Sequence, residues 1–144
     1  MIENKYTKGV EVTVGPMPIN EQGEVLLCQT RHRLDGAWVV CGGHVEPGET
    51  LAQTTVREAK EELGVDVEVL EQLCMEECFV GPPEFKRYGH SIYFTFLVKI
   101  KSGQEVKIDN DEIIAYKWMS PEDALPVVGM SYRKPIQMLI DRKS

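Results

Sequence analysis

Apolar residues recur along this chain at two spacings. Val10 to Val14 (VEVTV) alternates apolar with polar and is rich in β-branched residues, which predicts a strand. Asn20 to Gly23 reads as a turn and Val25 to Thr30 (VLLCQT) as a second strand. Ala37 to Val40 is a short apolar run leading into glycines. From Leu51 to Leu63 the period changes. Ala52, Val56, Ala59 and Leu63 stand at i, i+4, i+7 and i+11, which predicts a helix with this stripe buried. Val65 to Cys78 alternates in parts and predicts a long, bent strand, and Phe79 to Gly89, with Gly81, Pro82 and Pro83, a loop. Ser91 to Ile100 (SIYFTFLVKI) is the strongest strand signal. Lys101 to Asp111 is polar loop or edge, and Ile113 to Trp118 another strand. Ser120 and Pro121 start a short helix through Leu125. A last helix is predicted from Tyr132 to Asp141, with Ile136, Leu139 and Ile140 inward. With no repeat, low-complexity tract or linker, residues 1–144 are expected to form a single domain of mixed α/β or α+β class.

The ends of the central helix are marked. Thr50 and Gln53 make a capping-box pattern, and Gly64 follows Leu63 as a C-cap. Gly42, Gly43 and Gly48 precede it, allowing tight turns and close approach of backbone to a ligand. Glu58, Glu61 and Glu62 stand at i, i+3 and i+4, an arc of roughly 100°. The apolar stripe points roughly 140° away, so the acids are expected to face outward. Like charges at this spacing weaken a helix by about 0.2–0.5 kcal/mol per pair. A cation among them reverses the sign, and hard divalent ions such as Mg²⁺ take carboxylates together with substrate phosphates.

Composition narrows the function classes. Hydrophobic residues make up 42% of the 144 and charged residues 27%, ordinary for a globular protein with a core. No apolar run is long enough to span a membrane, and MIENKYTKGV lacks a signal-peptide core, so a cytoplasmic protein is the expectation. The net charge of −7 argues against stable nucleic-acid binding through phosphates. It leaves room for a small phosphorylated substrate bridged to the acids by metal. Cys28, Cys41, Cys74 and Cys78 form no CxxC pair and read as buried thiols rather than as a zinc site.

Residues 43 to 65, GHVEPGETLAQTTVREAKEELGV, resemble the Nudix box, G-x5-E-x7-R-E-U-x-E-E-x-G-U with U a bulky aliphatic. Gly43, Glu49, Arg57, Glu58, Glu61, Glu62, Gly64 and Val65 match; Ala59 is small where the pattern asks for bulk. The resemblance implies a mixed β-sheet packed between α-helices, an α/β/α sandwich. It implies hydrolysis of a pyrophosphate bond in a nucleoside diphosphate linked to another moiety, with Mg²⁺, or Mn²⁺ in its place, as cofactor. Carried over by position, Glu58, Glu61 and Glu62 are metal ligands, with the Gly42 carbonyl as a further candidate. Glu61 and Glu62 are also catalytic, and Arg57 is a supporting catalytic residue pairing with Glu49. In several members of the family the general base lies on a loop before a late strand; DNDEIIAYKWMSPEDAL resembles that region and puts Glu112 forward, against the reading of a solvated loop acid. Arg31 and Arg33 are candidate phosphate contacts, with Lys86 and Arg87 weaker ones. Trp38, Phe79, Phe85 and Tyr88 could stack on a base, Trp38 being equally a core residue.

Cys41 stands where many relatives have proline, which invites comparison with isopentenyl diphosphate isomerases. Their segment W-T-N-S-x-C-G-H is met only in part by Trp38 to His44. A nucleotide-sensing Nudix-like domain without turnover is the other alternative. Pro82 and Pro83 lie near a position associated with ADP-ribose hydrolases, and no coenzyme A type signature is evident. Nucleoside triphosphates and ADP-ribose both stay open as substrates. So does a homodimer, for which the VEVTV segment could supply an edge strand.

Overall fold

A computed structural model describes residues 10–80, 89–108 and 110–143. Strand β1, Val10–Pro18, runs past the alternating segment through Gly15, Pro16 and Pro18. It pairs in parallel with β5, Gly89–Ile100, along its whole length. Ile19 N–H donates to the Val98 carbonyl on β5. By alternation the nitrogens of Pro16 and Pro18 face the other way, where no strand pairs among the described residues, so the missing N–H groups cost no ladder bond there. Strand β2 is Val25–Thr30, and β3, Gly43–His44, pairs with β1 only at Thr13 and Val14. Strand β4, Val67–Val80, lies antiparallel to β5 and carries two register shifts, at Val69/Glu71 and Gln72/Cys74. These bulges are the bend the broken alternation predicts. The mixed sheet has the order β3-β1-β5-β4, and β2 forms a separate antiparallel pair with β6, Ile113–Met119.

Alternation on the strands divides the interior into two cores. Val14, Phe96 and Val98 pack with Ala59 and Leu63 of helix α1, Leu51–Leu63. Met17, Leu73 and Leu97 point the other way. They pack with Ala124 of α2, Pro121–Ala124, and with Ile136 and Leu139 of α3, Arg133–Arg142. A 3₁₀ turn, Met130–Tyr132, leads into α3. Helices on both faces of a mixed sheet give the α/β/α arrangement that the box implies. Among the described residues no helix is long and apolar enough to cross a membrane.

Helix α1 begins and ends where its caps predict. Thr50 Oγ1 accepts from Gln53 N–H at 3.1 Å and Gln53 Oε1 accepts from Thr50 N–H at 2.9 Å. Such an N-cap contributes about 1 kcal/mol. Gly64 closes the helix at φ 69°, a left-handed conformation suited to glycine. Its buried face departs from the expected stripe. Ala52 and Val56 are exposed, while Thr54, Thr55, Glu58, Ala59 and Leu63 are buried. The two threonine hydroxyls donate to the carbonyls of Thr50 and Leu51, so their methyl sides can pack. The buried arc therefore passes through Glu58 rather than opposite it. The expectation that all three acids face outward is corrected: Glu58 is buried, Glu62 half-buried and Glu61 exposed. Of the VEVTV segment, Thr13 and Val14 lie between β3 and β5, while among the described strands Val10 to Val12 pair with β5 alone.

Candidate active site

A cleft of about 670 Å³ opens where the C-terminal half of α1, the glycine segment before it and the middle of β5 meet. Two glycines bring the backbone in. A β-carbon on Gly42 would lie 2.0 Å from the Val14 carbonyl oxygen, and one on Gly15 would lie 2.8 Å from the Cys41 carbonyl oxygen. The segment from Cys41 to Gly43 thus crosses β1 backbone to backbone. A third glycine makes room for an acid: a β-carbon on Gly43 would lie 2.3 Å from Glu58 Oε1.

The acids of α1 are organised by Arg57. Its Nε and Nη2 grip Glu49 at 2.8 and 2.9 Å, a bidentate pair, and Nη2 also donates to the His44 carbonyl at 3.0 Å. Its Nη1 donates to Glu58 at 3.0 Å and to Glu61 at 3.2 Å. Glu49 further accepts from Thr54 Oγ1 at 2.9 Å and from Glu46 N–H at 3.1 Å. Held first by the Arg57 hydrogen bonds, its carboxyl is pulled down to about 2. Glu58 moves the opposite way, pushed up by burial despite Arg57. Glu62 is also pushed up, by burial and then by the charge of Glu112 across the cleft and of Glu58 and Glu61 beside it. Glu112 lines the rim, its carbonyl held by Arg31 N–H at 2.8 Å.

A hard divalent cation fits this donor set. Carboxylates crowded together and partly withheld from water are stabilised by positive charge, and Gly43 leaves Glu58 a fitted recess. Glu58, Glu61 and Glu62, with the Gly42 carbonyl, could supply the oxygens. Among the described residues no three His, Cys, Asp or Glu side chains converge closely enough to hold a metal, Glu58 and Glu61 being turned onto Arg57 Nη1.

The same cleft is also lined by aromatic residues. Tyr93 of β5 and Tyr132 of the 3₁₀ turn stand with ring centroids 5.8 Å apart, tilted by 52°. The Tyr93 hydroxyl donates to the Ser131 carbonyl, and burial pushes that phenol up to about 12. Arg33 lines the cleft as well, packed on Gly129 so closely that a β-carbon there would meet Nη2 at 2.7 Å.

The cleft brings together Glu58, Glu61, Glu62, Arg57, Gly42, Glu112 and Arg33. Arg31 does not line it; its Nε donates to the Asp111 carbonyl at 2.7 Å, at the base of the Glu112 loop. Trp38 packs with the second core, and Phe79 stacks on His90 at 4.5 Å. Pro82, Pro83, Phe85, Lys86, Arg87 and Tyr88 lie outside the described residues. Cys41 is buried, its thiol pushed well up by its contact with Cys28 and by burial, which keeps it protonated and poorly nucleophilic. Sequence reasoning missed Tyr93, Tyr132 and Gly129. Their adjacency is made by the fold, and no local signal in SIYFTF announces it.

Comparison with known proteins agrees with this geometry. The family model for the NUDIX domain matches residues 10–139. The chain is 36% identical over 134 residues to the nucleoside triphosphatase NudI of Escherichia coli (strain K12), covering 83% of this chain and 90% of that protein. Among solved structures it resembles the E. coli ORF135 protein, with a TM-score of 0.76 at 22% identity over 94% of this chain and 91% of that one. It also resembles a MutT NUDIX hydrolase from Burkholderia pseudomallei, with a TM-score of 0.76 at 22% identity over 90% of this chain and 97% of that one. With the family model spanning most of its length and an intact box on α1, this chain belongs to the NUDIX family and is a pyrophosphohydrolase.

Proposed function

We propose that the chain hydrolyses the phosphoanhydride of a nucleoside triphosphate, with Mg²⁺ as its cofactor and Mn²⁺ able to replace it. The carrying observation is that one cleft is lined both by Glu58, Glu61, Glu62 and Glu112 and by Tyr93, Tyr132 and Arg33. That pairing of acids with aromatic rings suits a ligand that carries both a polyphosphate and a flat ring. The triphosphate reading is favoured over ADP-ribose by the likeness to NudI.

Glu58, Glu61 and Glu62, with the Gly42 carbonyl, would hold the metal. Bound there, Mg²⁺ neutralises phosphate charge and acidifies water. Arg57 keeps the acids in place through Glu49. Glu112 receives the proton of the attacking water as its oxygen bonds to phosphorus and the bridging P–O bond breaks, the leaving phosphate taking the electron pair. Arg33 pairs with phosphate or with a polar edge of the base, and Tyr132 offers a stacking face. A cytoplasmic location belongs to the same reading, in keeping with four free thiols. The isomerase alternative gains nothing from the protonated Cys41.

A Mg²⁺-dependent hydrolysis screen tests the substrate class. It covers ordinary and oxidised nucleoside triphosphates, ADP-ribose, nucleotide sugars and dinucleoside polyphosphates, with products identified by mass. A triphosphate cleaved fastest supports the reading. ADP-ribose cleaved fastest would replace it, and tight binding without cleavage of any compound would point to the sensor.

A further inference from the structure

The Glu112 loop is joined to the acidic helix by the Asn110 side chain, and Lys107 N–H, three positions upstream of Asn110, also donates to the Leu63 carbonyl at 2.8 Å. Asn110 Nδ2 donates to the Glu62 carbonyl at 3.1 Å, in the last turn of α1. The same amide's Oδ1 accepts from Glu112 N–H at 3.1 Å and Ile113 N–H at 2.9 Å. Both lone pairs of that oxygen are used, and one amide joins the helix to the loop. Arg31 N–H holds the Glu112 carbonyl at 2.8 Å from the other side. The backbone of Glu112 is therefore fixed at both its N–H and its carbonyl, and the anchor is the residue whose carboxylate its own charge repels.

We propose that Asn110 is a positioning residue that holds the Glu112 carboxylate at a fixed place over Glu62, so that it can serve as proton acceptor. This rests on the reading of Glu112 given above. A residue that merely braces the loop would lower the melting temperature, and its effect on turnover would not depend on Glu112. A positioning residue acts on kcat through Glu112 alone.

The test compares wild type, Asn110→Ala, Asn110→Ser, Glu112→Gln and the doubles Asn110→Ala/Glu112→Gln and Asn110→Ser/Glu112→Gln. Ribo- and deoxyribonucleoside triphosphates with Mg²⁺ serve as probes, and melting temperature is recorded. Serine keeps an acceptor for the loop N–H groups, so the turn survives, but it is too short to reach the Glu62 carbonyl. Both single changes at Asn110 are expected to lower kcat about tenfold or more, since misplacing a catalytic group by an ångström costs that much, with KM unchanged within about twofold. In the Glu112→Gln background the same changes are expected to have no further effect, the non-additivity of groups acting as one unit. An unchanged kcat would overturn the proposal, as would an equal loss with Gln at 112 or full activity of Glu112→Gln alone. Glu62→Gln separates this from failure of the proposed function. Its full activity would undo that reading; its inactivity beside an unaffected Asn110→Ala would undo only the role of Asn110.

Discussion

Gly43 gives Glu58 the space its carboxylate occupies: a β-carbon at residue 43 would stand 2.3 Å from Oε1 and 2.8 Å from Oε2. The contact is with the end of a side chain, so alanine there displaces the acid rather than the loop. Gly43→Ala is expected to fold and to lose about 100-fold in turnover, the scale for a misplaced catalytic constellation. Gly42→Ala differs, because its β-carbon would meet backbone, the Val14 carbonyl at 2.0 Å. It is expected to lower the melting temperature more than Gly43→Ala does. Melting curves and turnover of the two variants, side by side, check both statements.

Arg57 holds Glu49 with two nitrogens and Glu58 and Glu61 with a third. Lysine keeps the charge but not the fork. Arg57→Lys is therefore expected to need about 10- to 100-fold more Mg²⁺ for half-maximal activity, the usual cost of losing a group that orients metal ligands. A Mg²⁺ titration of activity reads this directly. An unchanged midpoint would mean that the fork does not orient the ligands.

Glu49 carries a pH signature. Its folded-state value, about 2, lies below the ordinary 4.5 because Arg57 hydrogen-bonds the ionised form. A depressed carboxyl contributes stability that is present above the unfolded value and lost as pH falls toward the folded one. Glu49→Gln is expected to melt below wild type at neutral pH. The gap is expected to narrow as the pH drops from about 4.5 toward 2. Melting temperatures of both proteins across that window decide it; a gap that stays constant would mean that the Glu49 charge is not the source.

Arg33 and Arg31 are expected to fail differently. Arg33 lines the cleft beside Gly129, so Arg33→Ala is expected to raise KM about tenfold with kcat nearly kept, the mark of uniform binding lost. Arg31 donates through its side chain to the carbonyl of Asp111 and does not line the cleft, so Arg31→Ala is expected to leave KM alone and lower kcat modestly through the Glu112 loop. Steady-state kinetics of the pair separates the two; matching KM effects would contradict this division.

Much of this was legible in the sequence because it is local. The bounds of α1, its capping box and its Gly64 C-cap follow from residues within a few positions of one another. The spacing of Glu58, Glu61 and Glu62 likewise needs only helical geometry. The face that α1 buries was misread. Hydrophobicity pointed to Ala52 and Val56, whereas the helix buries Thr54 and Thr55, whose hydroxyls return to its own carbonyls. Glu58 is buried because Gly43, brought alongside α1 only by the fold, leaves it a recess. The aromatic lining of the cleft was illegible for the same reason: Tyr93 meets Tyr132 only once β5 and the turn before α3 pack together. The link from Asn110 to Glu62 is equally long-range.

Turnover of a nucleoside triphosphate by wild type, Glu61→Gln and Glu62→Gln, each with Mg²⁺ and again after chelation, decides whether the acids of α1 act through a metal ion. Cleavage by wild type with Mg²⁺, abolished by chelation, restored by added metal and reduced by orders of magnitude in both folded variants is the result expected of an acidic helix that works through a bound cation. Full turnover in the chelated protein, or in either variant, would contradict it.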